Sequence, residues 1–298
     1  MRALVTGGHG FVGRWLAAHL EACGDEVVVT GEEVDVRDAD AVRTSVAGVA
    51  PDAVYHLAGQ ASVGRSWERP GDTFAVNTVG TVNVLDAARR LPAPPRVLVV
   101  SSAEVYGQVA DDALPITEEV PLRPSSPYAA SKAAAEIAAR QAVIGFGLAV
   151  VVARPFNHIG PGQSPSFVVS AVAKRIVEAR RAGLTRIEMG NPSPRRDLTD
   201  VRDVVRAYRL LVEHGEAGEA YNVCSGLDVR IGDLAQRLVD LSGGGLELVT
   251  GAVEVRARDV PVLRGDPARI EAATGWRPAI ALEETLLAVL EYWRGALA

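Results

Sequence analysis

Apolar, β-branched runs alternate with Ala- and Leu-rich helical stretches through the first half of the chain, and no other feature restricts the fold as much. Residues 3–6, 26–30, 53–57, 97–101 and 149–153 read as strands, and residues 12–22, 39–49, 78–90 and 128–145 as helices between them. Short apolar strands joined by helical crossovers form a parallel sheet covered on both faces. The expected fold class is therefore α/β: a Rossmann-type doubly wound parallel sheet over residues 1–155, followed by a smaller C-terminal α/β substrate-binding domain over 156–298. Residues 199–225 are expected to return to the first domain. In the second half the pattern loosens into loops at 157–166 and 190–196, helices at 167–182, 201–213, 231–242 and 282–294, a strand at 220–223 and an Arg-bearing loop at 254–266.

Charge and cysteine usage exclude several function classes. The 298 residues carry 31 Lys+Arg against 37 Asp+Glu, a formal net charge of −6, with no basic stretch. Nucleic-acid polymers and anionic membranes are held by clustered Lys and Arg, so neither is an expected partner, whereas one small anion can still be bound locally. Cys23 and Cys224 form neither a disulfide framework nor a CxxC motif. The apolar runs are strand-sized, and the opening MRALVTGG has no signal-peptide pattern, so a cytoplasmic location is expected. His9, His56 and His158 lack any metal-ligand spacing, and no metal site is expected.

The first strand runs straight into Gly7-Gly8-His9-Gly10-Phe11-Val12-Gly13 and then a helix. Glycines at this spacing allow a tight turn, bring bare backbone to a pyrophosphate and let the helix pack closely, while its N-terminus offers oriented N–H groups. The motif predicts a dinucleotide, NAD or NADP. Enzymes selective for NAD carry Asp or Glu at the end of the second strand to bind the ribose 2′-hydroxyl, and Thr30 stands there instead. Glu32 and Glu33 follow closely, Arg14 and Arg37 offer positive charge, and the balance leans to NADP. Asp35-Val36 either holds the adenine edge or merely opens the next helix.

Tyr128 and Lys132 lie four apart at the start of a helix, on one face. An ammonium beside a phenol stabilises phenolate, so this pair is expected to lower the Tyr128 pKa and make it a usable acid/base. Ser101-Ser102 closes a buried strand at the edge where doubly wound sheets bind ligands. Together TGGHGFVG (6–13), HLAG (56–59), Asn77 in VNTVGTVN, SSAEVYG (101–107), YAASK (128–132) and RPFNHIGPGQ (154–163) resemble the extended short-chain dehydrogenase/reductase family over most of the chain. The resemblance implies that Ser102 polarises a carbonyl or hydroxyl, that Tyr128 is the acid/base, and that Lys132 also holds the nicotinamide ribose. It places Gly7, His9, Gly10, Phe11, Val12, Asp35, Val36, Leu57, Ala58, Gly59, Asn77, Tyr128 and Lys132 around the cofactor.

Within that family, VYGQVADDALPITEE, RRDLTDVRDVVRAY and YNVCSG look most like a subgroup that reduces the C4 ketone of GDP-4-keto-6-deoxy-D-mannose. The implied substrate is a GDP-sugar, contacted by Ser102, Glu104, Asn157, Lys174, Arg196 and Arg256. An Arg fork makes paired, charge-assisted bonds to a diphosphate, although Arg runs are also ordinary solvated surface. Glu104 keeps a second reading open, because the related 4,6-dehydratases carry their C5 base at that place; Ala103 and the short 31–38 segment oppose it. A 4-epimerase ranks third. A non-catalytic dinucleotide sensor would have no use for Ser102, Tyr128 and Lys132 together. Small-residue faces on helices 78–90 and 128–145 suit pairing into a homodimer, as the resemblance implies, and equally suit packing on their own sheet.

Overall fold

The computed structural model describes residues 1–251 and 260–298. Strand β1 (Arg2–Thr6) leads through the glycine loop into helix α1 (Phe11–Ala22); β2 (Glu26–Thr30), α2 (Ala39–Val49) and β3 (Ala53–His56) repeat the unit. The helix expected at 78–90 begins much earlier and in pieces: α3 (Val63–Glu68), α4 (Pro70–Phe74), a π-helical turn at Ala75–Val79, then α5 (Gly80–Arg89). Pro70 at the first position of α4 has no N–H to continue α3. Next come β4 (Arg96–Val100), a 3₁₀ turn at Ala103–Tyr106, α6 (Pro127–Phe146) and β5 (Val150–Pro155). Ser126 caps α6, accepting from the Ala129 N–H, and Pro127 fits its first turn. That start places Tyr128 at the sheet's ligand-binding edge.

Beyond β5 lie β6 (Asn157–Ile159), α7 (Val168–Arg181), β7 (Arg186–Met189), β8 (Arg195–Asp200), α8 (Val201–His214), β9 (Ala220–Val223) and β10 (Asp228–Arg230). The chain ends through α9 (Ile231–Leu241), β11 (Glu247–Thr250), β12 (Val262–Leu263), α10 (Ala268–Thr274) and α11 (Leu282–Ala296). Six strands form one parallel sheet in the order β2-β1-β3-β4-β5-β9. Successive residues of a strand face opposite sides. Ala3, Val5, Tyr55 and Leu98 therefore pack under α1 and α8 with Leu16, Leu20, Tyr208 and Leu211, while Leu4, Val54, Val97 and Val99 pack under α2, α5 and α6 with Val42, Val84 and Ala139. The strand order reverses between β1 and β3, and a doubly wound sheet opens its ligand crevice at such a point.

The second core packs α7, α9 and α11 against β10-β8-β12, with β6 paired to β8 and β7 to β11. Residues 157–166 and 190–196 are not plain loops: β6 lies in the first, and β8 begins in the second. Residues assigned to the tail also return to the first core, where Ile270 and Trp276 are fully buried and the Trp276 indole donates to the Asp203 carbonyl at 2.9 Å. Among the described residues, no helix is long and apolar enough to cross a membrane.

Candidate active site

The glycine loop shows where a dinucleotide fits. Gly7 has φ +69°, and a Cβ on it would lie 2.8 Å from the Ala58 backbone nitrogen; a Cβ on Gly13 would lie 2.6 Å from the Gly8 Cα. The Gly10 N–H donates to the Gly7 carbonyl at 3.0 Å, and the Gly8 N–H to the Thr30 carbonyl at 2.8 Å. Bare backbone at the N-terminus of α1, at the ends of β1 and β3, is the cradle a pyrophosphate requires. The residues present fit NAD(P): Gly7, His9, Gly10, Phe11 and Val12 line the turn, with Leu57, Ala58 and Gly59 across from it. Phe11 stacks on the His158 ring with centroids 6.3 Å apart, and Trp15 donates to the Pro161 carbonyl at 3.1 Å. The loop after β6 is thus tied to the glycine loop, a link the sequence did not reveal.

Charge around the end of β2 is arranged differently from the expectation. Asp35 is clamped by Arg37, whose Nε lies 2.9 and 3.0 Å and whose Nη2 lies 2.6 Å from its carboxylate, so Arg37 is already paired. The Asp35–Arg37 clamp opens the segment before α2, while Val36 is buried against Gly80. Glu33 accepts from the Gly31 N–H at 2.6 Å and lies 3.9 Å from His9 Nδ1. A carboxylate therefore does return to the glycine loop, one turn after the position held by Thr30.

Asn77 closes the next wall. Its side chain accepts from the Gln60 N–H at 2.8 Å and donates to the Gln60 carbonyl at 3.2 Å and to Ser131 Oγ at 2.9 Å. The π-helical turn that carries it is a device common at functional sites. Asn77 thereby fixes the 57–60 segment against α6, with Ser131 as a partner that sequence reasoning missed although it lies inside YAASK. His56 is a satisfied polar residue. Thr81 donates to the Asn77 carbonyl at 2.6 Å, so His56 Nε2–H donates to Thr81 at 3.1 Å and Nδ1 accepts from Thr6 at 2.8 Å. Burial, with Lys132 nearby, pushes the His56 pKa down to about 3.

Ser102, Tyr128 and Lys132 are all buried, and the structure brings them together at the end of β4. The Ser102 hydroxyl faces the Tyr128 phenol and favours its ionised form. The expected lowering of the Tyr128 pKa is not what the structure shows: burial pushes it up to about 12, opposed by the Ser102 hydroxyl and reinforced by the Glu104 carboxylate. The reason is that the Lys132 ammonium donates to the Val100 carbonyl at 2.8 Å. Burial pushes Lys132 itself down to about 8, with Glu136 opposing. Since a depressed pKa means the cation is lost as pH rises through that value, turnover that relies on the ammonium falls above about pH 8. A pH–rate profile checks this, and a profile flat into the ordinary lysine range contradicts it.

The substrate-side candidates are less uniform. Glu104 lies in the same 3₁₀ turn as Tyr106, two residues after Ser102, whose Oγ accepts from the Glu104 N–H at 3.2 Å. Asn157 is exposed at the start of β6, beside Phe156 and His158. Arg196 donates to the carbonyls of Arg195 at 2.9 Å and Val260 at 2.8 Å, tying β8 to the segment before β12. Lys174 lies 5.6 Å over the Trp293 ring and 3.6 Å from Glu178, on the α7–α11 seam. Arg256 lies outside the described residues. Among the described residues, no group of His, Cys, Asp and Glu is placed to hold a metal ion.

Comparison with known proteins agrees with this geometry. Residues 3–224 match the NAD dependent epimerase/dehydratase family. A GDP-6-deoxy-D-mannose reductase of Pseudomonas aeruginosa is 42% identical over 296 residues, covering 98% of this chain and 97% of that protein. A UDP-glucose 4-epimerase of Mycolicibacterium smegmatis is 32% identical over 315 residues, 99% of each chain. Among solved structures, RMD from Pseudomonas aeruginosa complexed with NADPH superposes with a TM-score of 0.91 at 40% identity, covering 99% of this chain and 100% of that one. The UDP-glucose 4-epimerase of Thermus thermophilus in complex with NAD gives 0.89 at 31%, covering 99% of this chain and 100% of that one. A glycine cradle at the switch point, the Ser102–Tyr128–Lys132 cluster and a match over three-quarters of the sequence lead to one conclusion: the chain belongs to the NAD dependent epimerase/dehydratase family.

Proposed function

We propose that the protein is an NAD(P)H-dependent oxidoreductase of nucleotide sugars that reduces the C4 ketone of GDP-4-keto-6-deoxy-D-mannose to GDP-D-rhamnose, that is, GDP-6-deoxy-D-mannose. The buried Tyr128 hydroxyl, facing Ser102 with Lys132 one turn along the same helix, carries the reading. The full-length similarity to the Pseudomonas aeruginosa reductase supports the choice of substrate. Ser102 and Tyr128 hydrogen-bond the C4 oxygen, and Tyr128 gives it a proton as negative charge develops there. A reduced nicotinamide held by the glycine loop, Asn77 and Lys132 would supply the hydride to C4. The Lys132 ammonium, held at the Val100 carbonyl, is assigned to the nicotinamide ribose. Asn157, Arg196 and Arg256 are assigned to the nucleotide diphosphate.

NADPH is the proposed reductant, supported by Thr30 and by the NADPH complex of the 40% identical structure. Glu33 beside His9 opposes a 2′-phosphate, so the ratio of NADPH to NADH dissociation constants tests the preference. Glu104, close enough to Tyr128 to raise its pKa, favours dehydration as the second reading. Separate incubations with GDP-mannose and with GDP-4-keto-6-deoxymannose distinguish the two: a reductase consumes only the latter and only with reduced cofactor, whereas consumption of GDP-mannose identifies a dehydratase.

We also propose a homodimer in the cytoplasm, where the unpaired Cys23 and Cys224 stay reduced. Ile137 and Ile144 on α6 are 69% and 77% exposed, and Val82 on the adjoining α5 is 45% exposed, an apolar face that a second copy would cover. Replacing Ile137 and Ile144 together by Glu yields a monomer by light scattering; an unchanged mass rejects this face.

A further inference from the structure

Behind the reacting groups runs a buried chain of polar side chains that links every segment carrying them. Ser101, beside Ser102, donates to Glu136 Oε1; Glu136 follows Lys132 by one helical turn. The Arg154 fork on β5 grips Glu136, with Nε 3.0 and 3.1 Å from the two carboxylate oxygens and Nη2 2.7 Å from Oε2. Its other arm donates to the Tyr106 hydroxyl at 2.9 Å, and Tyr106 donates to Asn222 Oδ1 on β9 at 2.7 Å. Tyr106 closes the 3₁₀ turn that begins after Ser102. Glu136 and Arg154 are each less than a tenth exposed as side chains.

Building on the reductase reading, we propose that Glu136, clamped by Arg154, is a positioning residue that sets the spacing and the ionisation of Ser102, Tyr128 and Lys132. Two buried charges rarely improve stability over an apolar pair, so their use here needs another reason. The geometry supplies one: the carboxylate is bonded to Ser101 next to one reacting hydroxyl and shares a helix face with the lysine. The groups facing Lys132 are Tyr128 and Glu136 on its own helix and neutral His56 at the end of β3. Those facing Glu136 are Arg154 on β5 and Tyr106 in the 3₁₀ turn, with the Glu118 carboxylate facing Arg154 and Tyr106 in turn, while Glu104 faces Tyr128. Removing the Glu136 charge leaves Arg154 with only the Glu118 carboxylate to offset it, which favours the deprotonated form of both Lys132 and Tyr128.

Glu136→Gln keeps the shape and removes the charge, and two readouts follow. The first uses the protein without cofactor or substrate: tyrosinate absorbance is titrated in the Glu136→Gln and wild-type backgrounds, each minus its Tyr128→Phe counterpart. The Tyr128 transition moves to lower pH by about 1 unit in Glu136→Gln. The second is steady-state: kcat falls about 10- to 100-fold, its alkaline limb moves to lower pH, and KM changes less than about threefold. Ser101→Ala, which spares the ion pair, gives a smaller kcat loss with an unshifted limb, and Glu136→Asp restores the limb. A Glu136→Gln protein that melts lower but shows wild-type kcat and an unmoved tyrosinate transition reduces the pair to a structural role and overturns the proposal. If Glu136→Gln does not fold, a Ser101→Ala enzyme with wild-type kcat overturns it. Failure of the wild type to turn over the GDP-sugar overturns the reductase reading alone, because the titration needs neither ligand.

Discussion

Tyr128→Phe abolishes turnover, lowering kcat by about 10³-fold or more, while the cofactor dissociation constant changes less than about twofold. The substitution deletes one hydroxyl from a side chain that is already buried, so packing is kept and only the proton donor facing Ser102 is lost. The neighbouring carboxylate, Glu104, is acceptor-only when ionised and cannot replace the phenol as donor. Stopped-flow binding of the cofactor and steady-state kinetics on the same preparation separate the two quantities. Retention of more than about a tenth of wild-type kcat removes Tyr128 as the proton donor.

The second large effect is on stability. Asp197→Ala destabilises the fold by about 3–5 kcal/mol, because its carboxylate is fully buried and accepts from the Ser225 N–H at 2.8 Å, the Ser225 hydroxyl at 2.6 Å, the Gly226 N–H at 2.9 Å and the Gly265 N–H at 3.3 Å. Those donors lie on the turn after β9 and on the segment after β12, so one side chain joins the six-stranded sheet to the smaller one. Removing it strands several buried donors at once. The melting temperature falls by about 6 °C or more, whereas Asp233→Ala, an exposed residue paired with Arg230 at 3.7 Å, changes it by less than about 1 °C. Equal melting of the two variants contradicts this account of the joint.

These two residues mark how far the sequence could be read. Strands β1 to β5 were legible because a parallel strand buried on both faces is a continuous apolar run, as in Val97–Val100. The glycine loop was legible because its spacing has a mechanical meaning between a strand and a helix. Strand β8, RRDLTD, carries no strand signal in the sequence: its buried Asp197 and Asp200 are satisfied by backbone N–H groups and by Thr285, which lies far away in sequence. Burial of acids by such tertiary bonds leaves no periodic trace. Ser102, Tyr128 and Lys132 were nameable from their spacing, but the direction of the Tyr128 pKa was misjudged. Proximity in sequence does not say where the Lys132 ammonium points, and in the fold it turns to the Val100 carbonyl. Glu136 was invisible for a similar reason, since Arg154, eighteen residues away, reaches it only across α6 and β5.

The central claim is that Ser102, Tyr128 and Lys132 hold a nucleotide-sugar C4 carbonyl for hydride addition. It is tested most directly by supplying nicotinamide cofactor deuterated at its transferable position with GDP-4-keto-6-deoxymannose and locating the label by NMR. The account predicts deuterium on C4 of the 6-deoxyhexose in amount equal to the cofactor oxidised, and none with Tyr128→Phe. Cofactor oxidation without label at C4, or no oxidation by a protein that binds the cofactor tightly, would contradict it.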